Sequence, residues 1–344
     1  MKIYLDDFGM FLGRQRNRFI VKKADKKSEF VSDDVESIVF TSKGAAASTS
    51  ALDLAVSKGI QVIFARYRGW PYAILMPTSM TGSVRARREQ FLAYNDERGF
   101  RLSQGFVLGK LLNQSNLLKL MAKNRKQTSP ILAEKLYTAA REIDQTIEKT
   151  RWLEAAPIDG CRQALMNLEA EAARSYWERI GMTIPEAFRF PSRKTRGTTD
   201  PVNAMLNFGY QVVLFPEVWK AVSYAGLDPY AGYLHADRPG KPSLVLDMME
   251  EFRQQIVDRT VLSLIGRNVI KPDDFSDGPP ETGRTLSASV TKNLIEALEE
   301  RLTSSAVFNE QRSQLKGFIL TQARKAARLL LRETACYEPF FLGW

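Results

Sequence analysis

At 344 residues the chain is longer than one hydrophobic core usually supports, and its 44% hydrophobic content excludes a disordered polymer. No apolar run approaches the roughly 18 to 20 uncharged residues needed to cross a bilayer, and the N-terminal MKIYLDDFGMFLGRQRNR sets acids and arginines where a secretory leader needs apolar ones. Lys and Arg number 49 against 39 Asp and Glu, which favours a polyanionic partner, so the composition predicts a basic, two-domain, cytoplasmic protein with no membrane contact.

The first eighty residues predict short strands rich in β-branched and aromatic residues at 18–23 (RFIVKK), 36–41 (ESIVFT), 61–65 (QVIFA) and 72–76 (YAILM), punctuated by Gly9, Gly13, Gly59 and Gly69. One inserted helix is expected over 48–57, with Ser48 or Thr49 as its N-cap. Linker chemistry near 77–84 (PTSMTGSV) then separates a domain of residues 1–80 from one of residues 81–344. Beyond it, apolar residues recur every three or four positions over 85–98, 104–123, 131–153, 161–180 and 201–225, with Pro130, Pro157, Gly160, Gly181 and Pro185 between them. Residues 193–200 (RKTRGTTD) and 271–284 (KPDDFSDGPPETGR) read as surface loops. The expected class is α+β: a small β-rich N-terminal domain followed by a larger, all-helical catalytic domain.

Cys161 and Cys336 form neither a zinc spacing nor a redox pair and are expected to be packing thiols. His235 is the single histidine, so any imidazole chemistry must use it. On the helix LMNLEAEAARSYWERI, residues Leu165, Leu168, Ala172, Tyr176 and Ile180 make an apolar stripe that Glu169 borders, while Glu171 and Glu178 face solvent. An inward carboxylate needs a cation, either an arginine or a metal ion. His235 lies in a Gly- and Pro-rich loop, as a hydrogen-bonded structural residue or a functional one. Ser243 opens a helix whose core stripe is Leu244, Met248, Phe252 and Ile256. On it Asp247 pairs at helical spacing with Glu250 or with Glu251, and spacing does not choose between them. A buried-edge Glu, one His and an Asp/Glu pair make an oxygen-rich set that suits Mg²⁺ or Mn²⁺ better than Zn²⁺.

Three ordered segments, LEAEAARSYW, DPVNAMLNFGYQVV and GLDPYAGYLHADRPGKPSLVLDMMEEFR, make the chain resemble the CRISPR-associated integrase family of the adaptation module, called Cas1. Looser agreement runs through SKGAAASTSALDLAVSKGIQVIFARYRGWPYA and SVRARREQ. The resemblance implies metal ligation by Glu169, His235 and Glu250, with Asp247 as a further acidic position of the active site. His235 would serve as ligand or as proton carrier. The family's usual Gly after the first glutamate is Ala170 here, a mild change on a helix.

The implied chemistry is attack by the 3′ hydroxyl of a captured DNA fragment on a phosphodiester at the leader–repeat junction of a CRISPR array, together with cleavage of branched DNA. Implied partners are a second copy of the chain, through the β-domain, and the small companion adaptation protein. Phosphate contacts are expected from Arg193, Lys194 and Arg196, and from Lys316, Arg324, Lys325 and Arg328 near the C-terminus, where Arg324, Arg328 and Arg332 recur every four residues. Asn203, Asn207 and Tyr210 share a helical face and either support the site or cap and pack. A non-catalytic DNA scaffold and a structure-selective repair nuclease are the alternative readings.

Overall fold

The computed structural model describes residues 1–66, 71–77, 84–195, 200–276 and 285–344. The chain folds as two units, Met1–Met80 and Thr81–Trp344. In the first, β1 (Lys2–Leu5) alternates inward Ile3 and Leu5 with half-exposed residues, and β2 (Phe11–Gln15), β3 (Arg18–Lys23) and β4 (Lys26–Val31) run as an antiparallel meander. Next come β5 (Ser37–Phe40), β6 (Ala46–Ala47), helix α1 (Thr49–Ser57), β7 (Gln61–Ala65) and β8 (Pro71–Leu75). One sheet has the order β1-β5-β7-β8 and the other β4-β3-β2-β6. In the first sheet β1, β5 and β7 are parallel, aligned at Leu5, Phe40 and Phe64, and α1 is the crossover that parallel β5 and β7 require. Ser48 caps α1 by accepting a hydrogen bond from Ala51 N at 3.2 Å. Leu5, Leu12, Phe19, Ile38, Leu54 and Val62 close one core between the sheets.

The four strands expected here are therefore part of eight among the described residues. The others escaped notice because β4 (KKSEFV) is mostly exposed and because the hairpin turns put Arg16 (φ 54°) and Ala24 (φ 48°) in a left-handed conformation that Gly or Asn usually signals.

The second unit begins with α2 (Val84–Leu92) and α3 (Glu97–Arg125), separated by a 3₁₀ turn and the N-cap Asp96, whose Oδ1 accepts from Arg98 N at 2.9 Å. Helix α3 carries buried residues on several faces, as a helix through the middle of a domain must. Against it pack α4 (Pro130–Arg151), through Leu136, Ala140, Ile143 and Ile147, and α5 (Ile158–Gly181), through Leu165, Ala172, Tyr176 and Ile180. On α5, Leu168 is only half-buried, and Glu171 and Glu178 are exposed.

Helices α6 (Pro201–Phe208) and α7 (Phe215–Tyr224) flank a π-helical segment, Gly209–Leu214, and Pro216 lacks the N–H that an uninterrupted helix would use there. The single helix expected after Ser243 is broken. Helix α8 (Ser243–Met249) stops, a turn follows, and a π-helical segment, Arg253–Asp258, leads into α9 (Arg259–Gly266).

The all-helical expectation is also corrected near the C-terminus. Strands β9 (Phe275–Ser276) and β10 (Thr285–Leu286) pair before α10 (Ala288–Thr303). The hairpin β11 (Ser305–Phe308) and β12 (Gln311–Gln314) turns at Asn309 and Glu310, both with positive φ. Helix α11 (Leu315–Leu330) follows. Among the described residues no helix is long and apolar enough to cross a membrane. Cys161 is half-buried, but Cys336 is exposed rather than packed.

Candidate active site

The site begins on α3. Lys110 sits in a helix with little wet face, so its ammonium has to find carboxylates, and it finds two. Lys110 Nζ contacts Glu169 Oε1 of α5 and lies 2.6 Å from Glu250 Oε2, just past the end of α8. The three side chains are only 12%, 19% and 4% exposed. Arg253 adds a second cation, its Nε 3.0 Å from Glu250 Oε1. Burial alone would raise the Glu250 pKa, but Arg253, Lys110 and His235 outweigh it and hold the carboxyl at about 2. Burial likewise pulls Lys110 down, yet Glu169 and Glu250 lift it to about 12. Glu250 Oε2 is buried and receives no well-aligned hydrogen bond.

The third member comes from the loop between α7 and α8. Gly226 (φ 80°) ends α7, its N–H bonded to Ser223 O at 3.0 Å while Leu227 N reaches Val222 O at 3.1 Å. Gly232 then lies so close to α8 that a Cβ there would be 2.6 Å from the Ser243 carbonyl carbon. This close approach delivers three consecutive N–H groups to one carboxylate: Tyr233 N and Leu234 N donate to Asp247 Oδ2 at 2.7 and 2.9 Å, and His235 N to Oδ1 at 2.9 Å. The same Oδ1 is 2.6 Å from His235 Nδ1.

Asp247, fully buried, therefore has no face left for a metal or a substrate. Expected among the active-site acids, its carboxylate is engaged by the Tyr233, Leu234 and His235 N–H groups and the imidazole, an arrangement that orients His235. Holding Nδ1–H on Asp247 leaves Nε2 as the lone-pair nitrogen of the neutral ring. Burial would lower the His235 pKa, but the hydrogen bond and charge of Asp247, with Glu250 beyond, keep it raised.

Behind Arg253 lies a layer of rings and hydroxyls. Its guanidinium stacks 4.6 Å from the Tyr210 ring centre. Tyr210 donates to Asp258 Oδ1, and Tyr176 donates to Oδ2 at 2.9 Å. Burial lifts Asp258 to about 6 against those two donors.

Arg193, expected at phosphate, is turned inward instead. It donates to Asn203 Oδ1 at 2.8 Å and Asn207 Oδ1 at 2.7 Å and stacks on Trp177 and Tyr210. Asn203 also ties down the backbone of Ser192 and Lys194, so the two asparagines hold the loop. Lys194 is exposed, and Arg196 lies outside the described residues.

On α11, Arg324 and Arg328 are exposed, Lys316 is half-buried, and Lys325 is engaged with Glu338 at 3.2 Å and the Phe308 ring. The basic stripe stops at Arg328, because the helix ends at Leu330 and Arg332 (φ 61°) turns to Asp96, 3.1 Å away.

Glu169 of α5 and Glu250 just past α8 are thus brought together on Lys110, while His235 is held on Asp247. Among the described residues no three ligating side chains close to a metal-binding spacing, and Lys110 contacts both carboxylates. The donors nevertheless suit a hard divalent cation: two buried carboxylates, one with an oxygen lacking an aligned donor, and an imidazole nitrogen fixed by an aspartate. Lys110 and Arg253 were missed from sequence. The available signal was Lys110 set among Phe106, Val107, Leu108, Leu111 and Leu112, a mostly apolar stretch that leaves a lysine in need of a partner.

A cleft of about 710 Å³ runs along the same loop, lined by Phe91, Tyr94, Tyr230, Arg238 and Lys241 among others; Glu169, His235 and Glu250 do not line it.

A β-rich unit followed in sequence by a mostly helical one, with two acids from distant positions meeting on one lysine, is the frame in which sequence relatives identify a class, the CRISPR-associated endonucleases. The family model described as CRISPR associated protein Cas1 matches residues 3–300, and a CRISPR-associated endonuclease Cas1 from Archaeoglobus fulgidus is 38% identical over the full length of both chains. The chain belongs to the Cas1 family and is an endonuclease and integrase of CRISPR spacer insertion. The fold is shared with a casposase bound to its integration product (TM-score 0.82, 21% identity, 98% of this chain and 93% of that one). It is also shared with a chain of a Cas6-RT-Cas1–Cas2 complex (TM-score 0.79, 20% identity, 100% of this chain and 36% of that one).

Proposed function

We propose that the integration centre is built from Glu169, Glu250 and His235 around one Mg²⁺ or Mn²⁺ ion. In it the 3′ hydroxyl of a DNA fragment displaces the 3′ oxygen of a phosphodiester at the leader–repeat junction. The observation that carries this reading is the meeting of Glu169 and Glu250, 81 positions apart in sequence, on a single buried cation. When bound, a divalent ion lowers the pKa of the attacking hydroxyl and neutralises the crowded phosphate oxygens.

The protein's own groups do the rest. Glu169 and Glu250 supply the negative charge that holds the ion, and Arg253 keeps Glu250 ionised and aimed. His235 offers Nε2 as a ligand, with Asp247 fixing the tautomer. The same arrangement run with water as nucleophile cuts branched DNA.

Around the centre, exposed Lys194, Arg324 and Arg328 contact phosphates of the fragment and of the target DNA, giving affinity without base choice. The fold shared with a casposase on its product and with a Cas1–Cas2 assembly supports DNA and a small companion protein as partners. The N-terminal unit carries self-association, supported by Phe8 and Tyr72 at 82% and 60% exposure. The free thiols of Cys161 and Cys336 are in keeping with a cytoplasmic location.

The test is strand transfer of a labelled 3′-OH oligonucleotide into a leader–repeat duplex with Mn²⁺. Glu169→Gln, Glu250→Gln and His235→Ala are each expected to remove the joined product while leaving DNA binding in place. Product formation at wild-type rate in all three would overturn the assignment.

A further inference from the structure

We infer that Lys110 is the resident cation of the resting site and is displaced from between Glu169 and Glu250 when a divalent ion binds. The inference rests on the metal reading above and adds a competitor that is part of the protein.

Its basis is geometry and charge. Two carboxylates, Glu169 of α5 and Glu250 just past α8, meet on one ammonium with little exposure, an arrangement that would repel strongly without it. The ammonium is that of Lys110, with Nζ contacting Glu169 Oε1 and lying 2.6 Å from Glu250 Oε2. Arg253 is placed differently: it approaches the other oxygen of Glu250, from behind, at 3.0 Å, and stays stacked on Tyr210. The local count is therefore two carboxylates against two cations, of which one is inserted between the oxygens a metal would share and one is not.

A divalent ion held by both carboxylates has to sit where Nζ sits. Both cannot remain on the same two oxygens, because a dication there would face the ammonium at contact distance. Lysine suits the exchange: its compact ammonium ends a flexible four-carbon stem, so it can leave without moving α3. Lys110 stays charged throughout, and one cation replaces another. The displaced ammonium then lies beside the ion, where a phosphate oxygen of bound DNA is its natural partner. Lys110 keeps the acids in register without metal, makes metal binding weaker in free protein, and favours it once DNA receives the lysine.

The experiment is Mn²⁺ binding by isothermal titration calorimetry on the full-length, DNA-free chain. Lys110→Met removes the charge; Lys110→Gln keeps an N–H donor for the carboxylates and guards against misfolding. Both variants are expected to bind Mn²⁺ about tenfold tighter than wild type, and Mn²⁺ to raise their melting temperature by more than it raises that of wild type. Equal or weaker binding in folded variants, with wild type binding one ion, would overturn the displacement and leave the metal site standing. Absence of Mn²⁺ binding in all three chains would instead remove the metal reading on which the inference rests.

Discussion

Glu250 and Glu251 are consecutive in sequence and serve different partners. Glu250 faces Lys110 and the acidic centre, whereas Glu251, fully buried, accepts from Tyr337 Oη at 2.6 Å, Phe340 N at 3.0 Å and Gln322 Nε2 at 3.1 Å. The break after Met249 makes this possible: a regular helix would set the two only about 100° apart on one surface. Asn113 of α3 completes the anchorage, donating to Glu251 O and Phe340 O at 2.9 Å each and accepting from Leu342 N at 3.1 Å. The C-terminal segment is thus a strap fastened directly behind the residue that carries Glu250.

Burial lifts Glu251 to about 7 against its three donors, which gives a pH dependence with a definite sign. The carboxyl ionises near 4.5 in the unfolded chain and near 7 in the folded one. The stability that it confers is therefore complete below about pH 4.5 and is lost as pH rises through about 7, a change of about 3 kcal/mol. Glu251→Gln is expected to flatten the urea-unfolding free energy between pH 5 and 7.5 relative to wild type. A steeper fall with rising pH in the variant would contradict the sign. Glu251→Ala, which takes the acceptor from buried Tyr337 Oη and Phe340 N, should cost about 3 kcal/mol near pH 5 and less as pH rises through about 7.

Asp247→Asn tests the orienting role. The amide keeps the size of the carboxylate but offers one oxygen where four donor groups converge, so the loop loses part of its anchorage and His235 its tautomer. Strand transfer and Mn²⁺ affinity are expected to fall by about 10- to 100-fold while DNA affinity is retained. Wild-type Mn²⁺ binding by the variant would argue that His235 needs no such support.

How much of this was legible follows from which forces are local. The stripe Leu165, Ala172, Tyr176 and Ile180 marks both α5 and the inward edge where Glu169 sits, since period and burial are sequence properties. Strands β3 and β7 announced themselves by β-branched runs, but β4 owes its existence to pairing with β3 rather than to its own residues. Spacing left Glu250 and Glu251 equivalent because the helix break that separates them comes from tertiary packing. Lys110 was invisible for the same reason: its partners lie 59 and 140 residues away, and only folding says which lysine meets them. Arg193 looked like a phosphate ligand because sequence shows charge but not the asparagines and rings that already engage it.

The basic residues divide accordingly. Arg193→Ala should destabilise the fold by about 2 to 4 kcal/mol, because two charge-assisted hydrogen bonds and two ring contacts disappear, with little change in the salt dependence of DNA binding. Arg324→Ala and Arg328→Ala should do the reverse. Stability changes by less than about 0.5 kcal/mol, while each lowers the slope of log Kd against log salt by about 1. Fluorescence anisotropy across a salt series separates the two classes. An unchanged slope in both α11 variants would move the phosphate contacts elsewhere.

Two glycines distinguish a required close approach from a dispensable one. A Cβ at Gly232 would stand 2.6 Å from the Ser243 carbonyl carbon and 2.7 Å from Leu244 N, backbone atoms that cannot step aside, whereas a Cβ at Gly160 on α5 would meet nothing within 4 Å. Gly232→Ala is expected to lift the loop from α8, lengthen the Tyr233, Leu234 and His235 N–H bonds to Asp247, and cost about 1 to 3 kcal/mol in stability. With the imidazole off its mark, strand transfer should fall at least as far as in Asp247→Asn. Gly160→Ala should leave transfer unchanged and raise stability by up to about 1 kcal/mol through helix propensity. Equal activity in the two alanine variants would mean that the position of His235 does not depend on how the loop lies against α8.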